Sequence, residues 1–210
     1  MSYIKEPTNI EEKSFEIIQS IIEQEYPEYR FTDPLHEKII KRAIHTSADF
    51  DWLDILKFSE GVTDHIIQAL NNGATLYTDT NMVLSGMNKT RLDKLGCQYK
   101  CYVADSITRD IAQEKGITRS MAAVEQAATE SGDKIFIFGN APTALFRLLE
   151  LYQEGKLQTC AVVGVPVGFV GAQESKDALM QSDLPYIAAK GRKGGSNIAA
   201  AIMNAILYNM

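Results

Sequence analysis

The sequence is poor in cysteine. Its 210 residues include three, Cys97, Cys101 and Cys160. An odd number with no export signal argues against a disulfide framework and for reduced thiols. Cys97 and Cys101 are spaced like residues on one face of a strand, so we interpret them as packing residues. A zinc site would need two further ligands, which cannot be assigned.

Long apolar runs are also absent. No stretch approaches the roughly 18 apolar residues that cross a bilayer. The first fifteen residues, MSYIKEPTNIEEKSF, lack the apolar centre of a signal peptide. We therefore expect a cytoplasmic protein that has no membrane partner.

The chain has fewer basic residues than acidic ones. The chain has 21 lysines and arginines against 27 aspartates and glutamates, a formal net charge of −6. This balance argues against a nucleic-acid partner, which selects basic surfaces. A site for an anionic ligand must then be built from a few local groups.

The common motifs for nucleotide binding and hydrolysis are missing. There is no G-x-G-x-x-G after an early strand, no G-x-x-x-x-G-K-[ST], no G-x-S-x-G and no H-E-x-x-H. The three histidines, His36, His45 and His65, are not clustered. We therefore expect no metal ion bound by the protein's own side chains.

From Ala74 onward, short apolar runs alternate with helical segments, which predicts an α/β three-layer sandwich with a largely parallel sheet of about five strands. The predicted strands are ATLYT (74–78), QYKCYVA (98–104), KIFIF (134–138), TCAVVGV (159–165) and PYIAA (185–189). An N-terminal segment of two or three helices precedes them, and one helix is expected near 81–95. No linker-like run interrupts the chain, so we expect one domain over residues 1–210.

Three glycine-containing loops follow the last three predicted strands: Gly139–Thr143, Gly164–Ala172 and Lys190–Ser196. Ligands of open parallel sheets bind beyond the carboxyl ends of the strands, and helix N-termini attract anions. With Arg192 and Lys193 in the third loop, these features predict an anion-binding rim. Each loop taken singly is explained equally well by the geometry of a tight turn.

His45 is the one histidine placed like a catalyst. It falls near the end of an amphipathic helical segment, and two carboxylates, Asp49 and Asp51, follow it. A nearby carboxylate and the C-terminal end of a helix both favour the imidazolium, so His45 is a candidate general acid. The alternative is a histidine that caps the last carbonyls of its helix.

Arg119 begins a predicted helix after Thr118. A cation is poorly placed for the dipole at a helix N-terminus. Arg119 is therefore either a solvated surface residue or one that binds an external carboxylate through two hydrogen bonds.

The sequence resembles the precorrin-8X methylmutase family of cobalamin biosynthesis over nearly its whole length. The resemblance is carried, in order, by SFEII, RAIH, TDTNMVLSGM, TRS, GNAPTALF, GVPVGFVGAQESKDAL and GRKGGS. It implies an isomerase that moves a methyl group from C-11 to C-12 of a corrin precursor and requires no cofactor. The HTSADFDW segment is similar to that of the cobalt-dependent branch, which favours a cobalt-containing substrate.

The resemblance also implies roles for residues. His45 matches the histidine that protonates a ring nitrogen, Ser14 a serine that contacts the substrate, and Arg119 an arginine that binds a substrate carboxylate. The corrinoid carries many acetate and propionate groups, so the resemblance implies that the GRKGGS loop binds the substrate. The loop residues concerned are Arg192, Lys193, Gly194 and Ser196. Family members are homodimers, which we carry over as an expectation.

Two other functions remain open at this point. A non-catalytic carrier would bind a corrinoid of the same pathway without converting it. An enzyme for a phosphorylated metabolite could use the same loops, although the absent phosphate motifs disfavour it.

Overall fold

The computed structural model describes residues 6–210, and within them the side chains of all but residues 7–9. Its strands are β1 Leu56–Phe58, β2 Thr75–Thr78, β3 Gln98–Lys100, β4 Lys134–Phe138, β5 Ala161–Gly164 and β6 Tyr186–Ala189. Its helices are α1 Pro7–Glu25, α2 Pro34–Ser47, α3 Trp52–Ile55, α4 Val62–Asn71, α5 Asn81–Gly86, α6 Lys89–Lys94, α7 Ser106–Lys115, α8 Arg119–Ala128, α9 Pro142–Gln153, α10 Ala172–Met180 and α11 Ser196–Tyr208.

The six strands form one sheet in the order β1-β6-β5-β4-β2-β3. All neighbouring pairs are parallel except β1 with β6, which is antiparallel. The predicted mixed fold with a largely parallel sheet is therefore confirmed, with one strand more than expected.

The extra strand is β1, in a region predicted to hold no strand. It has three residues, and its register pairs Leu56 with Ala189. The short LKF sequence carries too few residues to show a period of two, so only its pairing with β6 defines it.

Alternate side chains of the strands enter two separate cores, as expected for a sheet covered on both faces. Ile135 and Ile137 of β4 pack into the core formed with α2, α4 and α11. Phe136 and Phe138 pack into the core formed with α8, α9 and α10. Helices on both faces make the three layers of the predicted sandwich.

The single helix expected near 81–95 is two helices. α5 ends at Gly86, and Asn88 caps α6 by accepting a hydrogen bond from Arg91 N–H at 3.1 Å. A Cβ on Gly86 would lie 2.8 Å from the Ala200 Cβ of α11, so glycine permits the close contact between these helices. No helix within residues 6–210 is long and apolar enough to cross a membrane.

Candidate active site

The end of α2 meets the loop that follows β6. Lys190 N–H donates to the carbonyl of Ile55, just before β1, at 2.8 Å. This bond brings the segment between α2 and β1 to the carboxyl end of the parallel strands. The segment after α2 and the 190–195 loop therefore meet at that edge of the sheet, where Lys193 pairs with Asp49 and Asp51.

α2 places His45 at this edge. The helix begins after Asp33, whose carboxylate accepts hydrogen bonds from Leu35 and His36 N–H at 2.8 and 2.9 Å. It ends at Ser47, and the next residue, Ala48, has a left-handed conformation with φ of 53°. The apolar face of α2 is buried, and His45 lies exposed in the last turn.

The His45 ring stacks on Phe15 of α1, with ring centroids 5.2 Å apart and an angle of 25° between the planes. Phe15 thus fixes one face of the imidazole. Ser14 precedes Phe15, which brings α1 to the same site, but its hydroxyl donates to the carbonyl of Ile10 in its own helix at 2.8 Å.

Asp49 and Asp51 bind Lys193. The Lys193 Nζ lies 2.5 Å from Asp49 Oδ2 and 2.6 Å from Asp51 Oδ2. Among residues 6–210 we find no ion pair between His45 and either aspartate. The two carboxylates therefore hold the loop lysine at the segment that follows α2, whereas the sequence interpretation paired them with the imidazole.

This cluster perturbs the acid–base properties of its members. Burial raises the pKa of Asp49, but the hydrogen bonds from Lys193 and from Asp51 N–H, together with the Lys193 charge, hold that pKa below its ordinary value. The hydrogen bonds to Asp49 and Asp51 raise the pKa of Lys193. Lys193 is consequently a cation already shared by two carboxylates, and its role in substrate binding stays a prediction.

Arg192 is exposed, and its guanidinium lies over the Phe169 ring, 5.7 Å from the centroid. Gly194, by contrast, contacts the protein itself, since a Cβ there would lie 2.1 Å from the carbonyl oxygen of Val165. Only glycine permits this approach of two backbones. Gly194 therefore shapes the loop that carries Arg192 and Lys193.

Ser196 is buried at the start of α11. Its hydroxyl is hydrogen-bonded to that of Thr80 at 3.0 Å. Thr80 in turn caps α5 by accepting from Val83 N–H at 3.2 Å. The structure thus places Ser196 in a helix-to-helix contact beneath the edge.

Asp79 is a charged residue that the sequence interpretation missed. It follows β2, is 4% exposed, and accepts hydrogen bonds from the N–H groups of Gly139, Asn140 and Ala141 at 3.0, 2.7 and 2.7 Å. Burial raises the pKa of Asp79, and the three N–H groups oppose that shift. The available signal was a carboxylate directly after a buried strand.

Asp79 changes the predicted anion-binding rim. The free N–H groups before α9 were one of its three parts, and the protein's own carboxylate occupies them. β2 and β4 are neighbours although β3 lies between them in sequence, so this is the point where the strand order reverses. The N–H groups that an anion would use at this point are therefore already bound to Asp79.

Lys176 of α10 is a second missed residue. Its side chain is fully buried, and its Nζ donates to the carbonyl of Lys193 at 2.7 Å. Burial lowers the pKa of Lys176 to about 8. This lysine fixes the loop backbone from below, while the Lys193 side chain binds the aspartates above.

Arg119 lies at the other half of the edge. It is the first residue of α8 and is exposed. Thr118, before it, is hydrogen-bonded to Thr143 of α9 at 3.2 Å. Arg119 is therefore next to the start of α9, separated from His45 by the loops that follow β4 and β5.

The edge thus presents a row of groups with different chemistry: an exposed imidazole at one end and exposed arginines at the middle and far end. Such an arrangement can receive a wide anionic molecule and exchange a proton with it. No cluster of three or more His, Cys, Asp or Glu side chains suited to a metal ion occurs within the described part of the chain.

Comparison with known proteins gives a consistent result. Residues 9–209 match the family described as precorrin-8X methylmutase. The chain is 56% identical over 211 residues to the cobalt-precorrin-8 methylmutase of Salmonella typhimurium, a match that covers 100% of this chain and 99% of that protein. It is 39% identical over 207 residues to the cobalt-precorrin-8 methylmutase of Leptospira interrogans, with 95% and 92% covered.

A solved structure agrees. The crystal structure of precorrin-8X methylmutase from Thermus thermophilus has a TM-score of 0.82 and 34% sequence identity to this chain, and the match covers 95% of this chain and 96% of that one. Fold and sequence agree over almost the full length, and the chain belongs to the precorrin-8X methylmutase family.

Proposed function

We propose that this protein moves the methyl group on C-11 of precorrin-8X, or of its cobalt form, to C-12, and that His45 is the general acid. Membership of the family supports an isomerase that transfers a methyl group within one corrinoid molecule. Such a reaction needs no second substrate.

The observation that carries the proposal is the placement of His45. Its ring is exposed at the carboxyl edge of the sheet and held against Phe15. It also lies in the last turn of α2. An imidazole held in this way can reach a bound ligand and exchange a proton with it.

The proposed reaction returns His45 to its starting state. The imidazolium donates its proton to a ring nitrogen, which draws electron density from the conjugated ring. The bond between the methyl group and C-11 then breaks as the bond to C-12 forms, in a sigmatropic shift. The proton returns to His45, so substrate and product have the same atoms.

The remaining predicted residues divide by what they contact. We propose that Arg119 and Arg192 bind carboxylates of the corrinoid, since both are exposed at the edge and arginine binds carboxylates through two hydrogen bonds. Ser14 would contact the substrate beside His45. Lys193, Gly194 and Ser196 would act mainly by fixing the loop and the start of α11.

We propose a cobalt-containing substrate, because relatives at 56% and 39% identity are named cobalt-precorrin-8 methylmutases. The cobalt would arrive as part of the substrate. We further propose that the protein acts in the cytoplasm as a homodimer, without a cofactor.

The test is the absorbance spectrum of cobalt-precorrin-8, and separately of precorrin-8X, mixed with catalytic amounts of protein. The shift changes the conjugation of the ring, so conversion is visible. His45→Ala should lower kcat by about 10²- to 10⁴-fold with binding retained, because general acid catalysis contributes a factor of that size.

His65→Ala is the matched control, since His65 is an exposed histidine of α4. It should convert substrate at the wild-type rate. Unchanged turnover by His45→Ala would remove His45 from the mechanism. Stoichiometric binding by the wild type with no conversion of either substrate would favour the carrier function instead.

A further inference from the structure

The loop between β5 and α10 has two large apolar side chains that are almost fully exposed, and a third, Val167, that is 45% exposed. Phe169 is 85% exposed and Val170 is 90% exposed, and we call this pair the apolar tip. Single exposed apolar residues are common on protein surfaces, but adjacent ones at a loop tip mark contact sites. We therefore expect another molecule to bind at the apolar tip.

The exposure does not come from a loose loop. Val167 N–H donates to the carbonyl of Gly139 at 3.3 Å, and Gly168 N–H donates to that of Arg192 at 3.2 Å. At the other end Gly171, with φ of 74°, lies close to Pro142 and Phe146 of α9. Both ends of the loop are fixed on neighbouring elements, so the tip projects because the backbone holds it there.

The apolar tip lies in the middle of the proposed site. β5, which leads to it, is between β6 and β4 in the sheet. The loop after β6 binds the segment next to His45 through Lys193, and the start of α9 after β4 contacts Thr118 beside Arg119. A molecule that reaches from His45 to Arg119 must therefore pass over Phe169 and Val170.

The surroundings of the tip combine apolar surface with cations. The Arg192 guanidinium lies 5.7 Å from the centre of the Phe169 ring, and Lys193 follows it. A corrinoid has the complementary pattern, since it has a flat apolar ring with carboxylates on its periphery. The ring face would meet the tip while a peripheral carboxylate meets Arg192.

A second copy of the chain fits the tip less well. Two side chains expose on the order of 300 Å², whereas a stable protein interface buries about 800 Å² on each partner. The tip alone is therefore too small to form a subunit interface.

We propose that Phe169 and Val170 contact one face of the corrinoid ring and set its position relative to His45. This inference rests on the proposed function, because it takes the corrinoid as the substrate. It adds a ring-binding element that neither the histidine nor the arginines supply. The rigid attachment of the loop makes the tip a fixed support for the ring.

The test compares Phe169→Ser with wild type. KM and kcat are measured with cobalt-precorrin-8 as the substrate, and the dissociation constant is measured with the isomerised product as the ligand. We expect both KM and the dissociation constant to rise roughly tenfold or more, because an aromatic contact area is lost. Phe169→Leu keeps most of the apolar area and should stay within about threefold of wild type. Both variants should keep the wild-type thermal midpoint, since the side chain is exposed.

Met210→Ser is the matched control, an exposed apolar residue beyond the opposite end of α11, and should leave both constants unchanged. Phe169→Ser constants within twofold of wild type would overturn the inference while leaving the proposed function intact. A Phe169→Ser protein that sediments as a smaller species than wild type would also overturn it, because the tip would then be a subunit contact. If wild type neither binds nor converts any corrinoid, the proposed function itself fails.

Discussion

At the scale of single residues, two buried charges shape the proposed site without being exposed to a ligand. Asp79 accepts hydrogen bonds from three backbone N–H groups of the loop before α9, and Lys176 donates one to a backbone carbonyl of the loop after β6. A buried charge is costly unless it is hydrogen-bonded, so each is kept where it stabilises an irregular backbone. Both act on loops that carry the exposed residues.

Lys176 predicts a pH dependence of stability. Burial lowers its pKa in the folded protein to about 8 from an ordinary value of 10.5. Between these values the unfolded chain binds the proton and the folded chain does not, so the free energy of unfolding rises with pH in this window. From pH 7 to pH 9.5 the free energy of unfolding of wild type, measured relative to that of Lys176→Met, should increase by about 1–2 kcal/mol.

Urea unfolding of both proteins at the two pH values measures this gain. Other groups that titrate in the window are present in both proteins and cancel in the difference. Lys94→Met, at an exposed position of α6, controls for the substitution itself. If the difference in free energy of unfolding between wild type and Lys176→Met were the same at pH 7 and pH 9.5, Lys176 would not be a buried group that titrates in this window.

At the scale of elements, local patterns predicted most of the structure. Strands with continuous apolar runs, such as KIFIF, lie where expected, because burial on both faces leaves a strong signal in few residues. β1 was missed because three residues show no period. The break between α5 and α6 lies where Gly86 ends one helix and Asn88 caps the next, and the sequence interpretation ran a single helix across it.

Helix caps allow an element-scale prediction. Asp33 caps α2 with two hydrogen bonds, whereas Asp105 precedes α7 with no side-chain cap. Asp33→Ala should lower the free energy of unfolding by about 1 kcal/mol, the usual cost of losing a cap. Asp105→Ala, the matched control, should lower the free energy of unfolding by only about a few tenths of a kcal/mol. Urea unfolding at pH 7 measures both.

The effect of Asp33→Ala should depend on pH. Backbone hydrogen bonding with His36 lowers the pKa of Asp33, so its stabilisation is present above the pKa of the unfolded chain and is lost as pH falls. The difference from wild type should therefore shrink below about pH 4. A constant difference would show that the carboxylate charge takes no part in the cap.

At the scale of the whole molecule, one sheet carries two cores. Trp52, the single tryptophan, lies in the core with α2 and α11, and the second core lies on the other face of the same sheet. We propose that the chain is a single domain. Because the strands are shared, neither core can lose its structure without exposing the other.

Unfolding by urea should therefore give one transition, with equal midpoints from Trp52 fluorescence and from far-ultraviolet circular dichroism. The midpoint should also rise with protein concentration, since dimerisation stabilises the folded state by mass action. Two separated midpoints would contradict the single domain. A midpoint independent of concentration, with a monomer in sedimentation, would contradict the homodimer.

Sequence alone determined the fold class and the family, because periodicity and motifs are local properties. Tertiary structure alone decided which charges meet. Asp79 and Gly139 are 60 residues apart, and Lys193 and Asp49 are 144 residues apart. Such pairs depend on the order in which strands lie side by side, so only the assembled sheet shows that Asp79 occupies the expected anion site and that Lys193 binds the two carboxylates that follow α2.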